Sequence, residues 1–486
     1  MSSSISSSRK VKMENTQAVL KEDQTETVTY TAYKRRWAMM VTVMLLNISN
    51  TGMGFNVAPV AYKAADYFEV TQYDITWFSQ VYLILPFTFS SISTYIFNKF
   101  DMKVGVHIGS ALNCVGALTR AVATSGLIAD LWTQYVVSLI GQAAGSAGHL
   151  FIGFIVTKVT QNWFPDGERM VATAIMAFFP ALGISVAQVM APIVVTEKQQ
   201  IPTLNYIYGG LALLAEIATL ICVTRSRPPT PPSRSAEHGT TARAPYLQQL
   251  KQTFTSPSFL GLIIMSGVMT AFYLCLTTLS QQMLCSKGYS DFFSGVVVAV
   301  FNIAGLVGSI AIAAVENRTK ALTEITKLGN AFGVLFTIML MEVYLVPGQH
   351  ALLIIFSVLF GFFSSGVYPI SLEIGVEITY PVEETISTTL IFVTGQILGV
   401  LMTYTANVLS SDLPPELQDI EVCTKNITSD LQARDYSGVV MGLMGVLTFI
   451  VILFTVFFRT PYKRREVEQT TDMSDTAEPT TSTCGR

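Results

Sequence analysis

The sequence predicts an all-α membrane protein of about twelve transmembrane helices arranged in two six-helix bundles. Three observations carry this reading. Of the 486 residues, 50% are hydrophobic and only 13% charged, whereas a soluble chain carries roughly a quarter charged residues; the mean hydropathy is +0.47. Apolar runs of about 20 residues, the length that crosses a hydrocarbon core as a helix, recur along the chain. The longest polar interruption, "TRSRPPTPPSRSAEHGTTARAP", falls between the sixth and seventh runs.

In order, the first six spans are expected at 37–60, 76–97, 104–125, 131–157, 170–195 and 204–224, and the second six at 257–283, 292–315, 328–346, 350–374, 385–409 and 437–458. The runs are too long for membrane strands and do not alternate. They give an N-terminal bundle over 34–224 and a C-terminal bundle over 257–458. The linker at 225–256 is too rich in Pro, Ser and Thr to build a core. Residues 1–33 lack the apolar core of a signal peptide, and within residues 459–486 the stretch "EVEQTTDMSDTAEPTTSTCGR" is acidic and Ser/Thr-rich; both ends read as disordered tails.

Charge sets the expected orientation. With both termini in the cytosol, the inner loops hold Lys34, Arg35, Arg36, Lys99, Lys103, Lys158, Arg169, Arg225 and a further basic set up to Arg465, while the outer loops hold only Lys63, Lys198, Lys287, Lys425 and Arg434. That asymmetry obeys the positive-inside rule. The four tryptophans, Trp37, Trp77, Trp132 and Trp163, fall near span ends and read as an interfacial belt. Of three sequons, Asn47 lies in a span and Asn317 in the cytosol, which leaves Asn426 as the glycan site. Cys285 and Cys423 alone face the oxidising side and are expected to form a disulfide.

The formal charge of −3, without a basic run or zinc-type cysteine spacing, speaks against nucleic acid. Scattered Ser, His and Asp share no loop, and no Gly-rich phosphate cradle opens a helix, so neither an enzyme nor a cofactor or metal site is expected. What remains is the set of polar side chains inside spans: Asn47, Asn50, Asn56, Gln80, Gln142, His149, Gln188 and Gln396. Such groups either tie helices together by hydrogen bonds or face a wet cavity. Gln142 and His149, seven residues apart in "GQAAGSAGHL", project from one helix face. An imidazole there can bind a solute or carry a proton, with Glu216 and Glu342 as the only acids that could join it; it could also ligate haem, although no apolar slot for a macrocycle is legible.

Several stretches carry a family resemblance. "SALNCVGA", "WFPDGERMVATA" and "GVYPISLEIGVEITYPVEE" resemble the major facilitator superfamily, and more narrowly solute carrier family 49, the feline leukaemia virus subgroup C receptor-related carriers. "RPPTPPS", "LCSKGYSDFFSG", "RTKALTEITKLG" and "FRTPYKRR" extend the resemblance, which covers roughly residues 34–465. It implies the major facilitator fold and alternating-access transport of a small organic solute; characterised relatives are linked to choline, ethanolamine, haem or pyridoxine-type vitamins. Carried over from the relatives, His149 stands where they keep a glutamine, and Gln396 matches a glutamine of span eleven. Both are expected to touch substrate, with Gln142, Asn50, Tyr273 and Tyr368 as further substrate-binding candidates.

A tryptophan of the relatives' first span is replaced by Gly54, so an aromatic cage for a cation must use Phe55, Phe272, Tyr273, Tyr368 or Phe392. Glu373 and Glu377 of the span-ten motif, with Lys99 and Lys103 of the loop after span two, are the expected cytosolic gate; Asn98 stands where the superfamily places an aspartate.

The expected function is transport of a small polar or cationic organic solute. The alternatives are a proton-coupled symporter using His149 and a non-transporting receptor or sensor on a carrier fold. The expected partners are the solute and the lipid bilayer. A monomer is expected, in the plasma membrane rather than the lysosome.

Overall fold

In the computed structural model the described residues are 31, 33–230, 246–382, 384–415 and 433–459. Long apolar helices dominate, and among the described residues ten helical segments are long and apolar enough to cross a membrane. The first half contains α1 (Arg35–Phe55), a 3-10 turn (Ala58–Val60), α2 (Ala61–Phe68), α3 (Gln72–Ala123), α4 (Leu131–Trp163), α5 (Asp166–Val194) and α6 (Ile201–Cys222). A short helix, α7 (Tyr246–Phe254), leads into α8 (Pro257–Cys285), α9 (Asp291–Thr319), α10 (Leu322–Tyr344) and α11 (His350–Phe360). A π-helical turn (Gly361–Ser365), α12 (Tyr368–Thr379), α13 (Glu384–Val408), the strand pair β1 (Ser411–Asp412) and β2 (Arg434–Asp435), and α14 (Ser437–Phe457) complete it. The side on which α1 begins and α14 ends is called here the termini side, and the opposite one the far side.

Four spans depart from the sequence expectation. The segment expected between 37 and 60 is one run of apolar residues, yet α1 stops at Phe55. Pro59 has no amide proton to continue the α-helical ladder; the chain passes through the 3-10 turn and leaves helical geometry at Val60 (φ −129°, ψ 28°). Spans two and three were expected as helices separated by a loop, but α3 runs 52 residues and departs from helical geometry at Asp101 (φ 68°, ψ 167°). At 1.5 Å per residue its two arms measure about 43 and 33 Å, each enough to cross the hydrocarbon core, so the helical segments of membrane length number about twelve. Span ten reaches Thr379, five residues beyond the expected end, and is interrupted by the π turn.

Burial divides by half and by side. On the termini side of the first half, Met39, Val43, Leu46, Val106, Ile152 and Met176 form a core, and on its far side Met53, Val60, Phe78, Ala187, Leu204 and Tyr208 form another. The second half repeats the division around Phe259, Leu262 and Ile374, and around Leu279, Phe301 and Tyr344. A smaller cluster of Phe55, Tyr82, Leu83 and Ile184 with Leu274 joins the halves. Outward, Ile193, Leu214, Leu220, Ile310 and Phe449 are exposed, the surface that lipid tails would cover. Trp163, expected in the interfacial belt, is instead packed in the core.

The glycines of "GQAAGSAGHL" serve packing. A Cβ on Gly116 would lie 2.5 Å from the Gly141 oxygen, and one on Gly148 would lie 2.7 Å from the Gly109 oxygen. The second arm of α3 and α4 therefore meet backbone to backbone, the small-residue contact that membrane helices use.

Arg120, near the end of α3, closes the broken first span. Its Nη1 donates to the Met53 carbonyl (2.9 Å) and Gln142 Oε1 (2.7 Å), and its Nη2 to Asn56 Oδ1 and Asn205 Oδ1 (both 3.0 Å). The guanidinium also lies 5.3 Å from the centre of the Phe78 ring. Among the described residues no carboxylate pairs with it; the charge is held by the end of α1, whose last carbonyls carry partial negative charge, and by three side-chain amides. Gln142 in turn donates to the carbonyls of Gly54 (3.2 Å) and Phe78 (3.0 Å).

Contacts between the halves gather on the far side. Lys63 Nζ meets Asp291 Oδ2 at 2.8 Å, and Gln281 Nε2 donates to the same carboxylate at 2.7 Å. Gln188 Nε2 donates to the Thr277 carbonyl (3.0 Å), and Gly295 packs so tightly on the Gln188 carbonyl that a Cβ would lie 2.0 Å from its oxygen. Tyr73 and Tyr404 meet edge to face at 6.1 Å.

Cys285 is disulfide-bonded, while Cys114, Cys222 and Cys275 are free. Cys423 and Asn426 lie outside the described residues. Beside Cys285, Lys287 Nζ binds Asp435 Oδ1 at 3.0 Å. Burial raises the Asp435 carboxyl, but hydrogen bonds from Ser437 and Lys287 outweigh it and hold the group below its ordinary value.

Two expectations follow. Replacing Arg120 by Leu strands buried acceptors, each costing about 1–3 kcal/mol, and should lower the melting midpoint by at least about 5 °C; Arg120→Lys, with no planar fork, should not restore it. Because its carboxyl is depressed, Asp435 contributes stability above the unfolded value near pH 4 and loses it as pH falls through the folded value. The melting midpoint of Asp435→Asn should therefore fall less than that of the native chain on acidification below about pH 4.

Candidate functional site

A cavity of about 380 Å³ lies between the halves. From the first half it is lined by Thr51 and Phe55 of α1, Tyr82 and Pro86 of α3, His149 of α4 and Ile184 of α5. From the second half come Tyr273 of α8, Asn302 of α9, Asn330 of α10, Tyr368 of α12, and Phe392 and Gln396 of α13. No Asp, Glu, Lys or Arg appears among the described lining residues.

His149 is held by a chain of hydrogen bonds that begins in the backbone. Asn50 Nδ2 donates to the Gly145 carbonyl (2.8 Å) and to Asn113 Oδ1 (3.0 Å). A carbonyl can only accept, so this contact fixes the amide, and Asn50 Oδ1 faces the opposite way. There it accepts from the Tyr82 hydroxyl (2.8 Å) and lies 2.9 Å from His149 Nδ1. Two acceptors cannot share that contact, so Nδ1 carries the proton in the neutral ring, and the Tyr82 oxygen, 2.8 Å away, turns a lone pair towards it. Nε2 is then the ring's acceptor, on a residue that lines the cavity.

Across the cavity, Gln396 is 8% exposed, and its Oε1 is buried without a partner among the described residues. Tyr273 donates to Asn302 Oδ1, which fixes its ring on the second-half wall. Phe55, Tyr82, Tyr273, Tyr368 and Phe392 bring five rings to the cavity.

The sequence candidates divide. His149, Gln396, Tyr273 and Tyr368 meet at the cavity, as do Phe55 and Phe392. Asn50 supports His149 from behind, and Gln142 is turned to Arg120 and the α1 and α3 carbonyls, away from the lining. Phe272 is in the second-half core. Glu373 and Glu377 lie on α12, the first exposed and the second buried, so they do not share one environment. Lys99 is exposed with its ammonium 5.3 Å from the Phe100 ring centre, and the Lys103 amide donates to Ser226 Oγ (3.1 Å). Glu216 accepts from Ser110 away from the cavity.

Tyr82 and Arg120 were not legible as site residues. A Cβ on Gly54 would lie 2.8 Å from the Tyr82 ring, so Tyr82 occupies the space that the missing side chain leaves. The one sequence signal was that glycine. Arg120 fell at a span end in "ALTRAVATSG", where a basic residue ordinarily reads as solvated.

The Major Facilitator Superfamily profile matches residues 41–404. Among curated relatives, Solute carrier family 49 member A3 of Danio rerio is 28% identical over 93% of this chain and 92% of its own. The Choline/ethanolamine transporter FLVCR2 of Homo sapiens is 26% identical over 76% of this chain and 71% of its own. Among solved structures, the nucleoside transporter NupG shares the fold with a TM-score of 0.63 at 13% identity, over 87% of this chain and 100% of that one. A bacterial homologue of the human lysosomal transporter Spinster, in an inward-facing and unoccupied conformation, gives 0.59 at 12% identity, over 88% and 97%. The arrangement of membrane helices around a central cavity is that of a transporter and not of an enzyme, and the chain belongs to the Major Facilitator Superfamily.

Proposed function

We propose that this transporter carries a small amino alcohol of the choline and ethanolamine class through the central cavity by alternating access. The observation that carries this is a cavity walled by five aromatic rings, with His149 and Gln396 on opposite halves and no fixed charge among its described lining residues. Ring faces hold an ammonium by about 0.5–2 kcal/mol each without demanding a carboxylate, whereas an organic anion would lack a cation to meet. His149 Nε2 adds an acceptor for a solute hydroxyl or N–H. The relatives named as choline/ethanolamine transporters support the class. Tyr82, in the space beside Gly54, supplies a ring face from the neighbouring helix. No acid lines the cavity among the described residues, which favours binding over proton relay as the work of His149.

Orientation belongs to the same proposal. The basic residues gather on the termini side, which is placed in the cytosol, with the chain in the plasma membrane. The Lys63–Asp291 pair and the Gln188–Gly295 contact then close the outer side, and the conformation is the inward-facing one. Glu373, Glu377, Lys99 and Lys103 are the residues proposed to close the inner mouth in the opposite state. Cys423 is the proposed partner of Cys285, and Asn426 the proposed glycan site.

Radiolabelled ethanolamine and choline uptake by the full chain in proteoliposomes tests the central site. His149→Ala and Gln396→Ala should each lower uptake at least about tenfold at equal protein. Native-like uptake by both variants would remove these residues from the site, and no uptake of either solute by the native chain would remove the solute class. The outer closure is tested by Asp291→Asn. With Cys114, Cys222, Cys275 and Cys484 replaced, a cysteine at Leu274 should react about tenfold faster with an impermeant maleimide from the far side once the Lys63 pair is broken. An unchanged rate would show that the pair does not hold the halves together.

A further inference from the structure

The second-half wall of the cavity carries a group of uncharged polar side chains that recognition of an ammonium does not use. They surround the π turn Gly361–Ser365, and π turns inside helices recur at functional sites. The turn itself contributes Ser364 and Ser365; α8 adds Ser266, α9 adds Ser309, α10 adds Asn330 and α12 adds Ser371, all lining the cavity. Glycines make the grouping possible. A Cβ on Gly305 would lie 2.6 Å from Ser365 Cβ, and one on Gly308 would lie 2.0 Å from the Phe362 oxygen, so α9 sits directly against the turn.

The hydrogen-bond inventory says what these groups lack. Ser309 donates to the Leu306 carbonyl (2.8 Å), Ser371 to the Val367 carbonyl (3.2 Å), and the Asn330 amide to the Thr326 carbonyl (2.7 Å). Each has spent a proton within its own helix and keeps an oxygen that can accept. Ser266, only 3% exposed, and Ser365 have hydroxyl oxygens that are buried and without a partner among the described residues. A buried hydroxyl without a partner is destabilising, and in a membrane protein it ordinarily finds one in another helix or in a ligand. A group rich in acceptors, with hydroxyls still to be satisfied and no fixed charge, suits a donor-rich neutral partner; alcohols meet that description, whereas carboxylates and phosphates do not.

The size of the cavity agrees. Water occupies about 30 Å³ per molecule in the liquid, so about 380 Å³ corresponds to roughly a dozen water-sized groups. An amino-alcohol head of a few non-hydrogen atoms leaves much of that space open.

We propose that the wall around the π turn is a second subsite, in which Ser266, Ser365 and Asn330 hydrogen-bond a hydroxylated, uncharged arm of the solute. The inference rests on the amino-alcohol reading of the central site and extends it: the preferred solute has an ammonium among the rings and a polyol-like arm against the second-half wall.

The test uses the purified full chain in lipid nanodiscs, with affinities read from thermal stabilisation by ethanolamine, glucamine and hexylamine. Glucamine should bind at least about tenfold more tightly than hexylamine, because only its hydroxyls satisfy the wall. In the double variant Ser266→Ala with Ser365→Ala that ratio should fall below about threefold while ethanolamine affinity is kept. Without ligand the double variant should melt no lower than the native chain, since it removes unpartnered hydroxyls. Asn330→Leu, which removes the amide oxygen from the wall, should weaken glucamine more than ethanolamine and serves as the second variant. Ethanolamine binding without a glucamine preference, or a preference that survives the double variant, overturns the subsite alone. A native chain that none of the three amines stabilises overturns the solute class of the central site and the subsite with it.

Discussion

Held by neutral oxygens alone, the Arg120 guanidinium keeps its charge inside the bundle because four of them converge on its two terminal nitrogens. A charged group away from water is costly unless its donors find acceptors; both terminal nitrogens do, while Nε is buried without a partner among the described residues, so this cluster restrains everything that supplies an acceptor. The Met53 carbonyl and Asn56 fix the end of α1 where Pro59 breaks it. Gln142 passes the restraint to α4, and two helical turns later the same helix presents His149. Gly54, Phe55 and Asn50 lie on the segment of α1 that Arg120 ends, so the aromatic floor of the cavity and the support of His149 share one anchor.

Acceptor and donor bookkeeping then gives the cavity its character. The Gly145 carbonyl orients Asn50, Asn50 orients Tyr82 and the imidazole, and the ring's remaining nitrogen is left as an acceptor. A glutamine at this position would offer both a donor and an acceptor; the histidine, held by Asn50, offers one of them in its neutral form. The two halves differ in what they bring. The first contributes rings and the imidazole, the second rings, amides and hydroxyls, and the described lining of neither contributes a fixed charge. On the proposed function, discrimination would come from ring faces and from which hydrogen bonds a solute can complete, the kind of recognition that rejects a partner lacking a needed donor.

Closure between the halves is built differently on the far side. It combines one half-buried ion pair, a side-chain amide on a carbonyl and a glycine in backbone contact, each modest by itself. The apolar cluster that joins the halves is the smaller one around Phe55, Tyr82 and Leu274, which suits the proposed alternating access, in which the halves must separate. The tight packing is kept within each half, where Gly116, Gly141 and Gly148 bring helices together for good.

Composition and hydropathy by themselves determined the class of this protein, because hydrocarbon requires long, internally hydrogen-bonded segments and such segments are legible one at a time. Motif order pointed to the family, and His149 and Gln396 were legible because a polar side chain in an apolar run is conspicuous. What only the tertiary structure decided depends on partners distant in sequence. Gln142, two turns from His149 on the same helix, is turned from the cavity because Arg120, 22 residues earlier, needs its oxygen. Tyr82 reaches the cavity because Gly54 has no side chain, and Asn50 turns its oxygen to Tyr82 and the imidazole rather than to the cavity because Gly145 fixes its amide. A span boundary or a polar residue can be read from the chain, but which of its hydrogen bonds are already spent is settled only when the helices are side by side.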